Sequence, residues 1–390
     1  MTINVKKSIN IIIFVMIFAF RSFTDAIYIS NGIENNFLIN IKYILLLLGI
    51  IYDFLNLKAN KKIMRKEFIN ICLCILFLFG ISIFWSILNN RLYFSALIGS
   101  IFKMFIPICY VYLFINSVDD DDIYKAMSLS LIFSFIGYVM EIGFSNFNLA
   151  NFKLLNFLNS YSPFESSFSA GASIAFCIYF FYYRENKFLT FIGFLFSILT
   201  FKRLSIVFSI FMFFLPHFIN VNKKISNKVH MKLAVIFIFL TIGYYYIISP
   251  NFNSIFIKFF GVNQDTFTMG RSAFLNSLLL SNYKTSGLGS IVIFWGKDIE
   301  MDLIRIYLET SIFGLCVFCF GYWSACGTKR YTLYYMIFIF FNMLTSHSLG
   351  NPFNWIITYV TIGSISYVKQ ENFKYLGRSA KNENRNFNYN

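Results

Sequence analysis

The chain has 390 residues, of which 57% are hydrophobic and only 13% are charged, whereas a soluble domain carries about 25% charged residues. This composition excludes a soluble globular enzyme. The net charge of +15 is spread between apolar runs rather than concentrated in a basic domain, which excludes a nucleic-acid-binding module. The sequence predicts an all-α, polytopic membrane protein, because about 12 transmembrane helices of about 20 residues each would use most of the chain.

Apolar runs separated by polar clusters follow one another from the N-terminus and predict the transmembrane helices. The runs lie at 8–28, 37–57, 69–88, 92–116, 123–143, 164–183, 188–201, 204–220, 233–249, 303–325, 332–348 and 353–368. They predict a transmembrane bundle over 1–368. The polar tail at 369–390 is expected to be cytoplasmic and disordered.

Lys and Arg are distributed unevenly between the two sides of this predicted bundle. Of the 33 Lys and Arg residues, 21 lie near the two termini or in the connections that share a side with the N-terminus, such as 58–68 and 221–232. Because cytoplasmic connections carry the excess of basic residues, both termini are predicted to be cytoplasmic. Two connections on the outer side are long, 144–163 and 250–302. In the second, "FNSIFIKFFG" and "RSAFLNSLLLS" have the spacing of short helices at the membrane surface.

Titratable side chains within or beside apolar runs are costly in a bilayer and therefore indicate a functional site. On the outer side the set is Glu165, Lys202, Arg203, Arg271, Asp302, Arg305, Glu309 and His347.

The basic members outside the helix of Arg305 have two interpretations each. Lys202 and Arg203 stand in a short connection, where they either extend to the membrane interface or form a cationic site for a phosphate group. Arg271 follows Gly270, which gives the backbone freedom. It is either a solvated loop charge or an arginine that reaches back into the bundle to hold phosphate oxygens.

Asp302, Arg305 and Glu309 are three and four positions apart, so a helix puts them on one face. Arg305 is expected to neutralise one or both carboxylates, and the paired face has to point towards protein or water. Structural pairing and a site-lining role both fit this pattern. Glu165 begins a run of small residues, where close helix packing is the alternative to a role in a site. His347 is either a hydrogen-bonded structural residue or a base at a cavity mouth.

Several chemical signatures do not occur in the sequence, among them a P-loop, an HExxH motif, a GxSxG elbow and a Cys/His metal cluster. The seven cysteines lie in apolar stretches or at their ends and are interpreted as small hydrophobic residues. We therefore expect chemistry that uses no metal and no cofactor.

Three segments, in this order, resemble the O-antigen polymerase family, to which the O-antigen ligases are related. "LTFKRLSIVFSIF" is similar to a T-x-(S/K)-R motif before an apolar span. The outer loop then carries Gly270 and Arg271, followed by "SGLGS" at 286–290. "DLIRIYLETSIFGL" is similar to a D-x-x-R-x-x-x-E-x-G-x-x-G-L pattern, with Ser311 where a Gly is often found. The resemblance covers roughly 160–325.

The resemblance implies a GT-C-like glycosyltransferase bundle in the bacterial inner membrane, with 250–302 as a periplasmic loop and an active site that faces the periplasm. It implies that undecaprenyl-pyrophosphate-linked oligosaccharides of lipopolysaccharide biosynthesis are the substrates, and that a chain-length regulator is a further partner. A hydroxyl of one repeat unit would attack the anomeric carbon of the growing glycan, and undecaprenyl pyrophosphate would leave.

Carried over residue by residue, the resemblance assigns two roles. The pyrophosphate-binding residues would be Arg271 and Arg203, with Lys202 and Arg305 as weaker candidates. The candidates for orienting or deprotonating the hydroxyl are Asp302, Glu309, Glu165 and His347.

Two other functions fit the same sequence. An O-antigen ligase shares the donor but transfers the glycan to the lipid A core. Ligases commonly have a His in the large loop, and 250–302 contains none, which favours a polymerase. A transporter or flippase without chemistry also fits, because about twelve helices with both termini inside is a common transporter layout. Transporters often contain paired repeats, and the sequence shows no repeat.

Overall fold

The computed structural model describes residues 5–31, 36–58, 60–153, 162–166, 169–200, 202–249 and 252–367. This part of the chain consists of helices and their connections, with one isolated backbone bridge between Lys224 and Lys329. The all-α prediction is therefore confirmed. The predicted tail, 369–390, lies outside the described residues.

The helices follow in chain order, with a short 3-10 helix at Phe144–Asn146. They are α1 (Val5–Asn31), α2 (Asn36–Leu55), α3 (Arg65–Leu88), α4 (Phe94–Ser117), α5 (Asp120–Ile142), α6 (Leu149–Lys153), α7 (Ala170–Tyr183), α8 (Lys187–Leu199), α9 (Arg203–Phe218), α10 (Asn227–Ile247), α11 (Asn253–Phe260), α12 (Gln264–Thr268), α13 (Arg271–Leu280), α14 (Ser290–Trp295), α15 (Asp302–Ser324), α16 (Arg330–Thr345) and α17 (Pro352–Tyr367).

Each predicted apolar run coincides with one of these helices. Within the described residues, six are long and apolar enough to cross a bilayer, namely α1, α3, α4, α5, α10 and α15, whereas α7, α8 and α9 are apolar but shorter. The described part of the chain is thus all-helical with several candidate spans, as in a polytopic membrane protein. The helix in the sixth run starts later than predicted, at Ala170. Pro163 lies in a turn before it, where the fixed φ of proline favours a turn.

The chain divides into two compact units. Unit 1 comprises Met1–Met64, Cys109–Asn222 and Ile356–Asn390, and unit 2 comprises Arg65–Ile108 and Lys223–Trp355.

Unit 1 contains a close packing of α1 against α5. A Cβ added to Gly137 of α5 would lie 2.3 Å from the Cβ of Ser22 in α1, so a small residue is needed at this crossing. Buried charges on α1 and α2 are paired: the Asp25 carboxylate lies 3.3 Å from Nε of Arg21 and 3.4 Å from Nζ of Lys42. Pairing lowers the cost of holding these charges within an apolar helix bundle.

In unit 2, α15 packs against α3 and α10. The long connection between α10 and α15 is folded and contains α11 to α14, so both segments predicted to be helical are helical. Leu275 and Ile291 of this connection belong to one buried apolar cluster with Ile248, which follows α10, and Ile304 of α15. The connection is therefore fixed against α10 and α15.

Candidate functional site

Asp302 and His347 form a hydrogen-bonded pair in unit 2, where the start of α15 meets the connection after α16. The Asp302 carboxylate is completely buried. Its Oδ1 accepts a hydrogen bond from Nδ1 of His347 at 2.9 Å, and its Oδ2 accepts from the backbone amides of Ser348 and Leu349, the latter at 2.7 Å. Because an ionised carboxylate only accepts hydrogen bonds, Nδ1 carries the imidazole proton. In the neutral ring Nε2 is then the accepting nitrogen, and it lies 3.5 Å from Oδ2 of Asp298.

The connection after α16 holds the imidazole ring in place. The Asn342 side-chain amide donates to Oγ of Ser348 at 2.7 Å, and the Trp355 indole donates to the Ser348 carbonyl at 3.2 Å. A Cβ added to Gly350 would lie 2.0 Å from Nε2 of His347. Only glycine therefore leaves room for the ring at its observed position.

Arg305 lies one turn after Asp302 on α15 and is paired with two carboxylates. Its Nη1 is 2.7 Å from Oδ1 of Asp298, and its Nη2 is 3.4 Å from Oδ1 of Asp302. The expected neutralisation on one helix face is thus confirmed for Asp302, and Asp298, in the connection before α15, is a further partner. The Nε of Arg305 is buried without a hydrogen-bond partner among the described residues.

Glu309 is buried on the same helix and fixes a glycine-containing turn. Its carboxylate accepts from the backbone amide of Ile291 at 3.1 Å, and its carbonyl accepts from the amide of Gly287 at 2.9 Å. Gly287 and Gly289 have positive φ values of 90° and 80°. A Cβ at either position would come within 3 Å of backbone atoms of α3 or α4. The "SGLGS" segment thus needs its glycines, both for conformation and for space.

The helix α15 is interrupted at Ser311. This residue has φ of 62° and ψ of −172°, a combination that is favourable almost only for glycine. Its Oγ accepts a hydrogen bond from the Trp85 indole of α3 at 3.2 Å. The interruption lies two residues after Glu309, so the titratable face of α15 ends at the break.

A cavity of about 250 Å³ lies within unit 2 against this face. Its charged lining consists of Lys103 of α4, Asp298, Arg305 and Glu309. Lys103 is exposed. The cavity thus offers cations that can hold phosphate oxygens and carboxylates that can accept hydrogen bonds from hydroxyl groups.

No protein family, curated protein or solved structure matches this chain. What the cavity binds is therefore argued from its own side chains. Within the described part of the chain, no group of three His, Cys, Asp or Glu side chains is arranged to hold a metal ion.

Arg271, also in unit 2, is half-buried at the start of α13, directly after Gly270, whose φ is 83°. Its Nη1 donates to the Thr268 carbonyl at 3.0 Å, and its Nε is buried without a hydrogen-bond partner among the described residues. Arg271 does not line the cavity described above. The guanidinium thus contacts a backbone carbonyl of its own connection. It is neither fully solvated nor directed into the cavity, the two alternatives that the sequence left open.

The remaining predicted site residues lie in unit 1. Oε1 of Glu165 is 2.5 Å from Nζ of Lys202, so this cation already has a carboxylate partner. Lys202 precedes α9, and Arg203 is its first residue. Of the predicted residues, the structure therefore brings together Asp302, Arg305, Glu309 and His347, and separately Glu165 and Lys202.

Two charged side chains of the cavity, Lys103 and Asp298, are not among the predicted site residues. Lys103 lies within the apolar run of α4, where a charge is costly. That cost was sufficient to mark Lys103 as a candidate site residue from the sequence. Asp298 lies in the connection before α15, and nothing in the sequence distinguishes it from other loop carboxylates.

Proposed function

We propose that this chain is a surface-polysaccharide polymerase of the bacterial inner membrane, which joins undecaprenyl-pyrophosphate-linked repeat units as the O-antigen polymerases do. The observation that carries the proposal is the hydrogen bond between the buried Asp302 and the solvent-accessible His347, beside a cavity lined by cations and carboxylates. Glycosyl transfer to a hydroxyl needs a base for the acceptor and positive charge for the diphosphate that leaves. Unit 2 contains both kinds of group.

In this reaction, Nε2 of His347 takes the proton of the acceptor hydroxyl. The hydroxyl oxygen forms a bond to the anomeric carbon as the bond from that carbon to the pyrophosphate oxygen breaks. Arg305 and Lys103 stabilise the negative charge that develops on the leaving diphosphate. Asp302 stabilises the imidazolium and does not itself take up the proton. Contacts of Arg271, Arg203 and Lys202 with the pyrophosphate stay predictions of the resemblance.

An apolar recess supports a lipid-linked substrate. It has a volume of about 620 Å³, lies within unit 2, and is lined by α3 and α15, with Trp85 and Phe313 beside the break at Ser311. In a membrane-spanning segment such a recess suits a long hydrocarbon chain, which would lie here while its diphosphate reaches the cavity beyond the break.

The proposal includes the arrangement in the membrane. About 12 crossings in a GT-C-like bundle would place both termini in the cytoplasm. The connection 250–302, the candidate site and the proposed reaction would then lie at the periplasmic face, where a chain-length regulator would be the partner. The excess of basic residues in alternate connections supports this orientation.

The purified chain in lipid, given undecaprenyl-pyrophosphate-linked repeat units as the only substrate, is expected to lengthen glycans. His347→Ala should slow elongation by about 10²- to 10⁴-fold, the usual effect of losing a general base. His217→Ala is the matched control, since it removes an exposed His of α9 and should leave the rate unchanged. A wild-type chain that does not lengthen an authentic substrate, or a His347→Ala variant as fast as wild type, contradicts the proposal.

A transporter is the second candidate, and the break at Ser311 is the observation that favours it. Transporters often bind their substrates where a helix is interrupted, and Glu309 lies two residues from this break. Vesicles that contain the purified chain separate the two functions: movement of lipid-linked repeat units across the bilayer without elongation would support transport.

An O-antigen ligase is separated from a polymerase by deleting the gene. Loss of a polymerase leaves one repeat unit on the lipid A core, whereas loss of a ligase leaves none.

A further inference from the structure

Unit 2 carries a strongly basic surface at the side where α3, α10 and α16 begin. Its exposed members are Arg65, Lys66, Lys223, Lys224, Lys228 and Lys232. We call these six residues the basic face. The segments 223–232 and 325–331 contain no acidic residue. The first-turn Glu67 of α3 is buried.

Backbone pairing fixes the connections that border this face. The amide of Ile225 donates to the Thr328 carbonyl at 2.9 Å, and the amide of Arg330 donates to the Lys223 carbonyl at 3.1 Å. Lys224 and Lys329 form the isolated backbone bridge between these donors. The two connections therefore hold the backbone that carries Lys223 and Lys224 in a defined conformation.

Electrostatic interactions link the start of α3 to the same surface. Sγ of Cys326 lies 3.8 Å from Nε2 of His230 on α10. The charge of Lys66 acts on His230, and the charge of Glu67 acts on Cys326. The cations of α3 and α10 thus belong to one surface.

The helix dipoles make this surface more positive. Neither α10 nor α16 has an acidic residue in its first turn, and neither has a side-chain cap at its N-terminus. Positive charge at a helix N-terminus is unfavourable, and an anion there is favourable. A topology signal needs only an excess of Lys and Arg in a connection. It does not require that they lie beside helix N-termini without side-chain caps.

We propose that the basic face binds the phosphate groups of anionic lipids in the adjacent leaflet. The occupant is a lipid headgroup because the face lies at the ends of α3 and α10, two candidate spans, which is the depth of lipid phosphates. Clusters of basic residues at this depth attract anionic lipids. This inference is independent of the reaction proposed above.

Thermal unfolding of the purified full chain in detergent tests the inference, with phosphatidylglycerol or phosphatidylcholine titrated as the probe. Phosphatidylglycerol should raise the unfolding temperature of wild type, and phosphatidylcholine should not. For the variant Lys224→Gln/Lys228→Gln, roughly tenfold more phosphatidylglycerol should be needed for the same rise. The control Lys284→Gln/Lys297→Gln removes the same charge from exposed positions elsewhere in unit 2 and should behave as wild type.

Three results would overturn the inference: equal effects of the two lipids on wild type, equal losses in both variants, or the same rise with glycerol phosphate or a short DNA duplex. If Lys224→Gln/Lys228→Gln does not fold, the wild-type comparison of the two lipids still decides. A further variant, Lys224→Arg/Lys228→Arg, keeps the charges and should keep the phosphatidylglycerol effect.

Discussion

Asp302 is the side chain on which the geometry of the candidate site depends. Its two carboxylate oxygens accept from the His347 ring and from the amides of Ser348 and Leu349, and the guanidinium of Arg305 lies 3.4 Å away. In the proposed reaction, Asp302, whose acceptor capacity is used in this way, positions His347 and does not act as the base. Asp302 was one of the carboxylates predicted to orient or deprotonate the hydroxyl. The proposal therefore gives it a different role.

Replacing Asp302 by Asn tests this positioning role. An amide cannot accept all the bonds that the carboxylate accepts, and it favours the wrong imidazole tautomer. Elongation should fall by about 10⁴-fold, and the pH–rate profile of the remaining activity should move to lower pH, because the imidazolium is less stable without the carboxylate and the neutral ring persists to lower pH. The pH–rate profile is the measurement, with Glu300→Gln at an exposed position as the control. An unshifted profile with full protein yield would contradict the role.

The pairing of Asp302 with His347 could not be predicted from the sequence. The helical spacing of Asp302, Arg305 and Glu309 was sufficient to put them on one face, and the structure confirms that face. His347, however, is separated from Asp302 by the whole of α16. Their contact depends on how the connection after α16 folds back, which hydrophobic periodicity does not encode.

At the scale of the element, α15 is distinguished by its interruption at Ser311. The apolar pattern continues through this position, so the sequence predicted one uninterrupted helix. In the family pattern that this segment resembles, a Gly is often found at this position. The φ of 62° gives a physical reason for that preference. The strain at Ser311 persists because the surrounding contacts hold it.

A pair of substitutions measures that strain. Ser311→Ala removes the hydrogen bond from Trp85 and keeps the strained backbone, whereas Ser311→Gly removes both. The Gly variant should therefore be more stable than the Ala variant by about 1 kcal/mol or more. In an ordinary helix the order is the reverse, with Gly less stable by about 1 kcal/mol. Thermal unfolding of the two variants decides, and Ala above Gly would show that α15 has no strained break in solution.

At the scale of the whole molecule, the long apolar runs were sufficient to predict the helices, because only a helix satisfies its own backbone within about 20 residues of bilayer. The number of membrane crossings could not be predicted from the apolar runs in the same way. Helices such as α7 and α8 are shorter than a bilayer is thick. Their relation to the membrane depends on packing and tilt, which the length of a run does not determine.

The stability of the molecule is expected to depend on pH through Glu185, in the connection between α7 and α8. Burial, reinforced by the charge of Asp121, raises the pKa of Glu185 from its ordinary value of 4.5 to about 7. The folded state then binds more protons than the unfolded state between these values, so stability should fall as pH rises from about 4.5 to 7. Glu185→Gln should remove this part of the pH dependence of the unfolding temperature, and Glu300→Gln should not. Identical pH curves for wild type and Glu185→Gln would refute the assignment.

The hydrogen bond between the Gly287 amide and the Glu309 carbonyl has a consequence for how α15 settles in the bilayer. A carbonyl released from a broken helix costs several kcal/mol in hydrocarbon if nothing donates to it, and here the donor comes from a separate turn. The bend and the turn should therefore form and open as one cooperative unit. Amide hydrogen exchange at Gly287 should be as slow as in the first half of α15, and loosening either segment should accelerate exchange in both.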